Sequence, residues 1–471
     1  GVPPGVSVVI FFFLMCFVGL MEGMQIALFA VVNIAEEELV GHPTAAKTCK
    51  LTFKGINLQA FLIGRQILVT VCMFVVAKIT TLDIVAGEGE NIFGVSDGLQ
   101  NFFNTGLLGA VITTIVASLA WRIIASSFPV AFLSNPFIYV ILRLCLLIQE
   151  SGICSSAWIL SRYHKIMLGY QPDEVYLEGA PPHTSAPTNR REKDIDRLVS
   201  AIKYIYSLVL LIFSVIVVMA ALFTNQTAAA EFNIPAAGAF FVFWFLILWL
   251  AQIEGGQGAL VGLQSVPSYE IANNHPISAK CTNLAHKGDN MERFIVGRQF
   301  LVVLIVFVMH MMGSASKGAS VLGLPEAVTS LFLESGLALI LVTIMLGQLT
   351  AQINAANCMM DFINNYFMLF STYVSLGIEY SGLLHAVYLV QILFSKTTGT
   401  PIQSNEPPRT RLQSIFFWVR VLLSLAVLGF AFAVTLGALF QGKTTMWPGV
   451  PPGVSVVIFF FLMCFVGLME G

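Results

Sequence analysis

Hydropathy divides the chain into long apolar runs separated by short polar segments. Runs of about 20 or more apolar residues, enough to cross a bilayer core as a helix, lie near 6–34, 58–80, 104–126, 136–160, 201–224, 236–264, 294–313, 329–353, 366–395 and 414–440. A further run begins at 453. A spanning helix satisfies its own backbone polar groups and an open strand does not. The ten runs therefore predict an all-α polytopic membrane protein, joined by polar segments chiefly at 36–54, 83–97, 162–203, 280–293 and 396–411.

Two repeats organise these runs. Residues 449–471 repeat 1–23 letter for letter, a period of 448 residues. A tandem array of near-identical units is one origin, and a duplication made when the segment was assembled is the other. The join Thr444-Thr445-Met446-Trp447-Pro448 reads as an ordinary loop and favours the array. The chain opens almost directly into a span without a cleavable signal peptide, so a segment of a longer chain is expected. On this reading the ten-span unit begins with the helix at 414–440, the first helix of the next unit, and the copy that belongs before residue 1 lies outside the sequence.

The second repeat is internal and weaker. Glu22 and Glu254 are 232 apart, and Arg65 and Arg298 are 233 apart. His42-Pro43 and Lys54-Gly55 match His275-Pro276 and Lys287-Gly288 at 233, and Gly106, Thr113, Asn135 and Ser151-Gly152 match Gly336, Thr343, Asn365 and Ser381-Gly382 at 230. Each half holds five spans, and an odd number inverts the second half in the membrane, with a site expected near the midplane. The expected organisation is a first half at 1–160, a polar linker at 161–200, a second half at 201–395 and an inter-unit linker at 396–413. The linker prolines Pro172, Pro181, Pro182 and Pro187 suit a flexible connection. Positive charge gives little orientation, because inversion places the lysines of 47–54 and 280–287 on opposite faces.

Polar residues inside the apolar runs are costly and mark interiors or solute paths. They recur in two sets: Glu22-Gly23-Met24-Gln25 with Gly64-Arg65-Gln66, and Glu254-Gly255-Gly256-Gln257 with Gly297-Arg298-Gln299. Glu and Gln three apart share a helix face, so carboxylate and carboxamide can converge on one ligand. Gly23, Gly255, Gly256 and Gly258 lower helix propensity and are candidate points of unwinding, where freed backbone would meet a solute or ion; the alternative is close helix packing. Two glutamates balance two arginines if each half pairs internally. With the amides of Gln25, Gln66, Gln257 and Gln299, that balance suits an uncharged polyhydroxyl solute better than an anion or a metal cation.

Other intramembrane polar residues are weaker signals. Arg143 and Glu150 lie seven apart on one face and can pair; Glu379 is a candidate for an ion site; His310 and His385 suit satisfied core positions. Asn354, Asn357 and Asp361 sit near a helix end, facing either the solute path or a loop.

Composition agrees with the pattern: 57% hydrophobic residues, 11% charged and a mean hydropathy of +0.83 are far from a soluble domain of this length. The net charge of −2 is segregated into connections, and no basic tract points to nucleic acid. The eight cysteines, with no CxxC and no zinc spacing, read as small core residues. No cofactor is expected.

In its ten spans, its five-plus-five repeat and above all its paired EGxQ and GRQ motifs, at Glu22 to Gln25, Gly64 to Gln66, Glu254 to Gln257 and Gly297 to Gln299, the chain resembles the diatom silicon transporter family. Multi-unit members of that family carry tandem copies. The resemblance implies sodium-coupled symport of orthosilicic acid, with the EGxQ and GRQ residues Glu22, Gln25, Arg65, Gln66, Glu254, Gln257, Arg298 and Gln299 at the solute site. Silicic acid is small and largely neutral, and its four hydroxyls suit Gln and Glu side chains. The implied partners are silicic acid, sodium as coupling ion and the lipid bilayer, with association of tandem units or a homo-oligomer. The implied address is the plasma membrane, or else an intracellular vesicle. For sodium the candidates are Glu379, Ser151, Ser381 and carbonyls near Gly255.

The rival readings are a channel or facilitator for small hydroxylated solutes such as silicic, germanic or boric acid, and a membrane-embedded enzyme. Paired Asn-Pro-Ala loops are missing, Asn135-Pro136 standing alone, and no HExxH or GxSG is found. A non-enzyme is expected.

Overall fold

A computed structural model describes residues 4–31, 41–54, 57–176, 190–316, 318–399 and 404–443. Among these residues there is no strand beyond one isolated bridge, Thr227 with Ala315. Among the described residues seven helices are long and apolar enough to cross a membrane.

The main helices of the first half are α1 (Pro4–Val31), α2 (Pro43–Thr52), α3 (Asn57–Thr80), α4 (Asp97–Asn104) and α5, in which Leu107–Ile112 and Ala120–Ser127 flank a π-helical stretch Thr113–Leu119. Then come α6 (Pro129–Leu133), α7 (Pro136–Glu150) and α8 (Ser156–Leu168). In the second half are α9 (Arg190–Phe223), α10 (Ala236–Gly262), α11 (Ser268–Asn274), α12 (Pro276–Ala285), α13 (Asn290–Gly313) and α14, in which Leu337–Val342 and Thr350–Asn357 flank the π-helical stretch Thr343–Leu349. The series ends with α15 (Met359–Ile363), α16 (Tyr366–Tyr380), α17 (Val387–Thr398) and α18 (Arg411–Phe440). The internal repeat is visible in these bounds: α3 and α13 coincide at an offset of 233, and α5, α6 and α7 coincide with α14, α15 and α16 at 230.

Three of the expected spans are not single helices: 329–353 is interrupted at Ser335-Gly336, where Gly336 has φ of +80°, and two more break at a Ser-Gly pair. The run 136–160 is split between α7 and α8, and 366–395 between α16 and α17. Neither α7 nor α16, of 15 residues and about 22 Å at 1.5 Å per residue, covers a bilayer core of about 30 Å. The cause of the break is the Ser-Gly pair. Gly152 and Gly382 have φ of +77° and +86°, a conformation that glycine alone adopts without strain.

The breaks at Gly152 and Gly382 are each sealed by a neighbouring helix. On α9, Ser207 accepts from Ser156 N at 2.9 Å and donates to Ile153 O at 2.6 Å. On α18, Ser424 accepts from Ala386 N at 2.9 Å and donates to Leu383 O at 2.6 Å. Four residues before each serine, the stem of Lys203 or Arg420 covers the glycine, and Arg420 Nη1 also donates to Tyr380 O at 3.0 Å. Backbone groups that the break would orphan are thus satisfied inside the protein, as a nonpolar surrounding demands.

The chain forms two compact units that differ from the sequence halves. The first comprises the described residues within 1–145, 296–310 and 377–443; the second comprises those within 146–295 and 311–376. Helix α8 therefore belongs with the second unit, and α17 and α18 with the first. Helix α18 starts with a capping box, Thr410 accepting from Gln413 N while Gln413 accepts from Thr410 N. It packs against the first segment of α5 and against α1, as α9 packs against the first segment of α14 and α10. Its end is tied to the 83–90 loop by Asp83 N donating to Lys443 O at 3.0 Å and by Lys443 with Glu90 at 3.2 Å. The helix expected to open a following unit thus folds with residues 1–145. The copy at 449–471 lies outside the described residues.

Candidate functional site

In the first unit, α3 and the central turns of α13 bring both GRQ motifs into one body. The glycine of the first makes close packing with α7: a Cβ on Gly64 would overlap the carbonyl of Cys145. Arg65, Gln66, Arg298 and Gln299 are 5%, 3%, 3% and 1% exposed, so four strongly polar side chains are closed off from the surface. Each arginine aligns its neighbour's amide. Arg65 Nη2 donates to Gln66 Oε1 at 3.0 Å, and Arg298 Nη1 donates to Gln299 Oε1 at 3.0 Å. Gln299 Nε2 in turn donates to Ser118 Oγ at 3.1 Å.

Ser118 lies in the π-helical stretch of α5. π-Turns are rare and cluster at functional sites because the extra residue per turn disturbs the regular backbone pattern. At its start the hydroxyls of Thr113 and Thr114 donate back to Gly109 O and Ala110 O at 2.7 and 2.8 Å, a pattern that accompanies bending of a helix. The second unit repeats the stretch at 343–349, with Thr343 donating to Leu339 O at 2.8 Å and the buried Gln348 where the first has Ser118.

Helix α1 carries Glu22, Gly23 and Gln25, and its backbone is helical throughout; the side chains of Glu22 and Gln25 lie outside the described residues. Met21 and Met24 beside them are fully buried. Helix α10 carries the second motif. Glu254 is buried and accepts from Gln352 Nε2, on the last segment of α14, at 3.0 Å; Gln257 is half-buried.

The unwinding expected at Gly23, Gly255, Gly256 and Gly258 is not what the structure shows. Helices α1 and α10 run unbroken through them. A Cβ on Gly255 would overlap the ring of Phe362, and one on Gly256 would overlap Met368, so these two glycines serve close packing; Gly258 faces open space. Glu254 is grouped with the second unit and Arg298 with the first.

Of the ion candidates, Ser151 belongs to the second unit and Ser381 and Glu379 to the first. Ser151 and Ser381 are exposed turn residues, each donating to the carbonyl three residues back, Ile148 and Ile378, at 2.6 Å. Glu379 is buried beside Tyr388, whose hydroxyl donates to it at 2.9 Å, and beside His385 at 3.8 Å. Arg143 turns to Tyr139, at 3.2 and 3.0 Å, rather than to Glu150. The His310 ring lies tilted against Phe74, at an interplanar angle of 56° with centroids 6.1 Å apart. Among the described residues no group of three or more His, Cys, Asp or Glu could hold a metal ion.

Ser118 and Gln352 were missed from sequence. The signal was present in part: Ser118 and Gln348 are polar residues at repeat-related positions of two apolar runs.

The family model described as silicon transporter matches residues 1–198 and again 195–471. The chain belongs to the silicon transporter family. It is an integral multi-pass membrane protein, and the family's work is moving silicic acid across the membrane. The two matches, one on each part of the chain, follow the internal repeat. The chain matches no curated protein and no solved structure.

Proposed function

We propose that this silicon transporter is a sodium-coupled symporter of orthosilicic acid that works by alternating access in the plasma membrane. Its proposed solute ligands are Glu22, Gln25, Arg65, Gln66, Glu254, Gln257, Arg298 and Gln299. The observation that carries the reading is the repeated Arg-Gln arrangement. A guanidinium fixes each carboxamide by its oxygen and so sets the direction of its NH₂; an oriented amide suits a neutral, tetrahedral hydroxyl compound. Ser118 holds the Gln299 amide, and a silanol oxygen is proposed to replace it as the acceptor.

Burial of all four GRQ side chains supports a carrier over an open pore, whose lining residues would stay wet. Sodium coupling rests on the family resemblance, with Glu379 the buried carboxylate best suited to a cation and Ser151 and Ser381 less suited, being turn residues exposed at the surface.

The deciding experiment is uptake into liposomes of silicic, germanic and boric acids, with and without an inward sodium gradient. Saturable uptake that follows the gradient and falls at least about tenfold in Gln299→Ala and Gln25→Ala supports the reading. Uptake indifferent to sodium but still sensitive to both substitutions leaves a facilitator, and uptake indifferent to both substitutions removes these residues from the site.

A further inference from the structure

We propose that Asp173, Asp361 and His275 are positioning residues for transport: they clamp α15 against the glycine face of the Glu254–Gln257 motif. The inference rests on the reading of that motif as a solute ligand.

Helix α15 has only five residues, and its N-cap, Cys358, makes no side-chain cap. The first amides of such a helix have no partner within it. Here Asp173, from the linker between the sequence halves, supplies both acceptors: Met359 N donates to Oδ2 at 2.7 Å and Met360 N to Oδ1 at 3.0 Å. Asp361, on α15 itself, answers in the other direction. Its Oδ2 accepts from Gln171 N at 2.6 Å and faces the Tyr176 hydroxyl at 3.5 Å, and its Oδ1 meets His275 Nε2 at 2.8 Å.

His275 is the N-cap of α12 and only 3% exposed, with the Tyr176 ring edge-on against it at 4.6 Å. Helix α12 adds Ser278 Oγ, donating to Met360 O at 2.6 Å. The linker and α12 thus grip α15 through two carboxylates that exchange bonds across the seam.

The inner side of α15 bears on the motif helix. Phe362 fills the space a side chain at Gly255 would need, next to Glu254, and Met359 does the same at Gly262, one turn past Gln257. A shift of α15 changes the packing behind Glu254 and Gln257 directly, because closely packed interiors transmit displacement. Among the described residues the Asp361 part of the grip is found in one half only. At the position equivalent to Asp361 the first half has Ala131.

The test uses the full chain in liposomes. Cys358, fully buried at the head of α15, reports the clamp by its rate of maleimide labelling, resolved by mass spectrometry. Asp173→Ala and Asp361→Ala are expected to raise that rate about tenfold or more, as local opening would, and to raise the silicic acid concentration for half-maximal uptake several-fold. Asp173→Asn, which keeps one acceptor, is expected to restore part of both. Tyr176→Phe removes only the 3.5 Å hydroxyl contact, leaves folding intact and gives a smaller rise.

Unchanged labelling in all four variants overturns the clamp, and faster labelling with unchanged half-saturation overturns its positioning role. Labelling involves no solute, so absence of silicic acid uptake in the unsubstituted protein would strike the functional reading and leave labelling to judge the clamp.

Discussion

The short helices α6 and α15 occupy the same place in the two sequence halves and are held there by different means. Each begins at a proline or methionine after a bent residue with φ near −140°, Phe128 at −135° and Cys358 at −141°, and each buries a phenylalanine, Phe132 or Phe362. Each packs against the helix that carries its half's EGxQ motif, α1 or α10. Polar support differs. At α6 the histidine His42 meets Ser134 Oγ at 3.1 Å; at α15 its equivalent His275 meets Asp361, and Asp361 and Asp173 join the linker to the helix. The backbone plan and the apolar contacts are common to both halves; among the described residues a histidine serves each short helix, and the carboxylate fastening is at α15.

That contrast is broken or sharpened by four measurements. The largest effect is expected from Phe132→Ala and Phe362→Ala, because emptying a buried aromatic site costs about 3–5 kcal/mol. The two thermal midpoints should fall by similar amounts, since the apolar packing is common to both halves. A much milder Phe132→Ala would mean that α6 is not held by its core face, and the comparison would fail at its shared part.

Asp361→Ala comes next. It strips acceptors from Gln171 N, Tyr176 and His275 together, and uncompensated partly buried donors cost about 2–3 kcal/mol in sum. Ser134→Ala removes the contact to His42 and should cost about 1 kcal/mol or less. Equal losses in thermal stability would show that α15 gains nothing from its extra fastening.

The serines at the helix breaks probe the opposite case, a device present in both units. Ser207→Ala and Ser424→Ala each unseat one backbone amide and one carbonyl. About 1–2 kcal/mol is expected for each, with similar changes in hydrogen exchange at Ser156 and Ala386. A large effect at one serine and none at the other would limit the equivalence of α9 and α18 to shape.

Much of this was legible in sequence. Apolar runs gave the long helices, and the offsets of 230 and 233 reappear in the element bounds to the residue. The interior placement of Arg65, Gln66, Arg298 and Gln299 followed from the cost of burying such groups. The helix breaks at Gly152 and Gly382 were not legible as breaks, because the apolar runs continue across them and the groups that seal them, Ser207 and Ser424, lie some 40–50 residues away in sequence. The role of the motif glycines also escaped, since low helix propensity and close packing leave the same letter, and only Phe362 and Met368 beside Gly255 and Gly256 decide between them. Asp173 had no signal at all. It stands in a polar linker like any solvated acid, and its partners Met359 and Met360 are 186 and 187 residues on.

Asp173 also sets the smallest and most specific test. Burial pushes its carboxyl above the ordinary carboxylate value, and Asp361 adds to that, while the Met360 and Met359 amides and His275 pull the other way. The folded protein therefore holds a proton on this group at a pH where the unfolded chain has released it. The associated stability is complete below the ordinary value of 3.8 and is lost as pH rises through the folded value. Asp173→Asn cannot titrate, so the midpoint difference between the unsubstituted protein and this variant should shrink on going from pH 4 toward pH 7. A difference that grows with pH would mean that the two amide bonds outweigh burial, and that the clamp on α15 is tightest with Asp173 ionised.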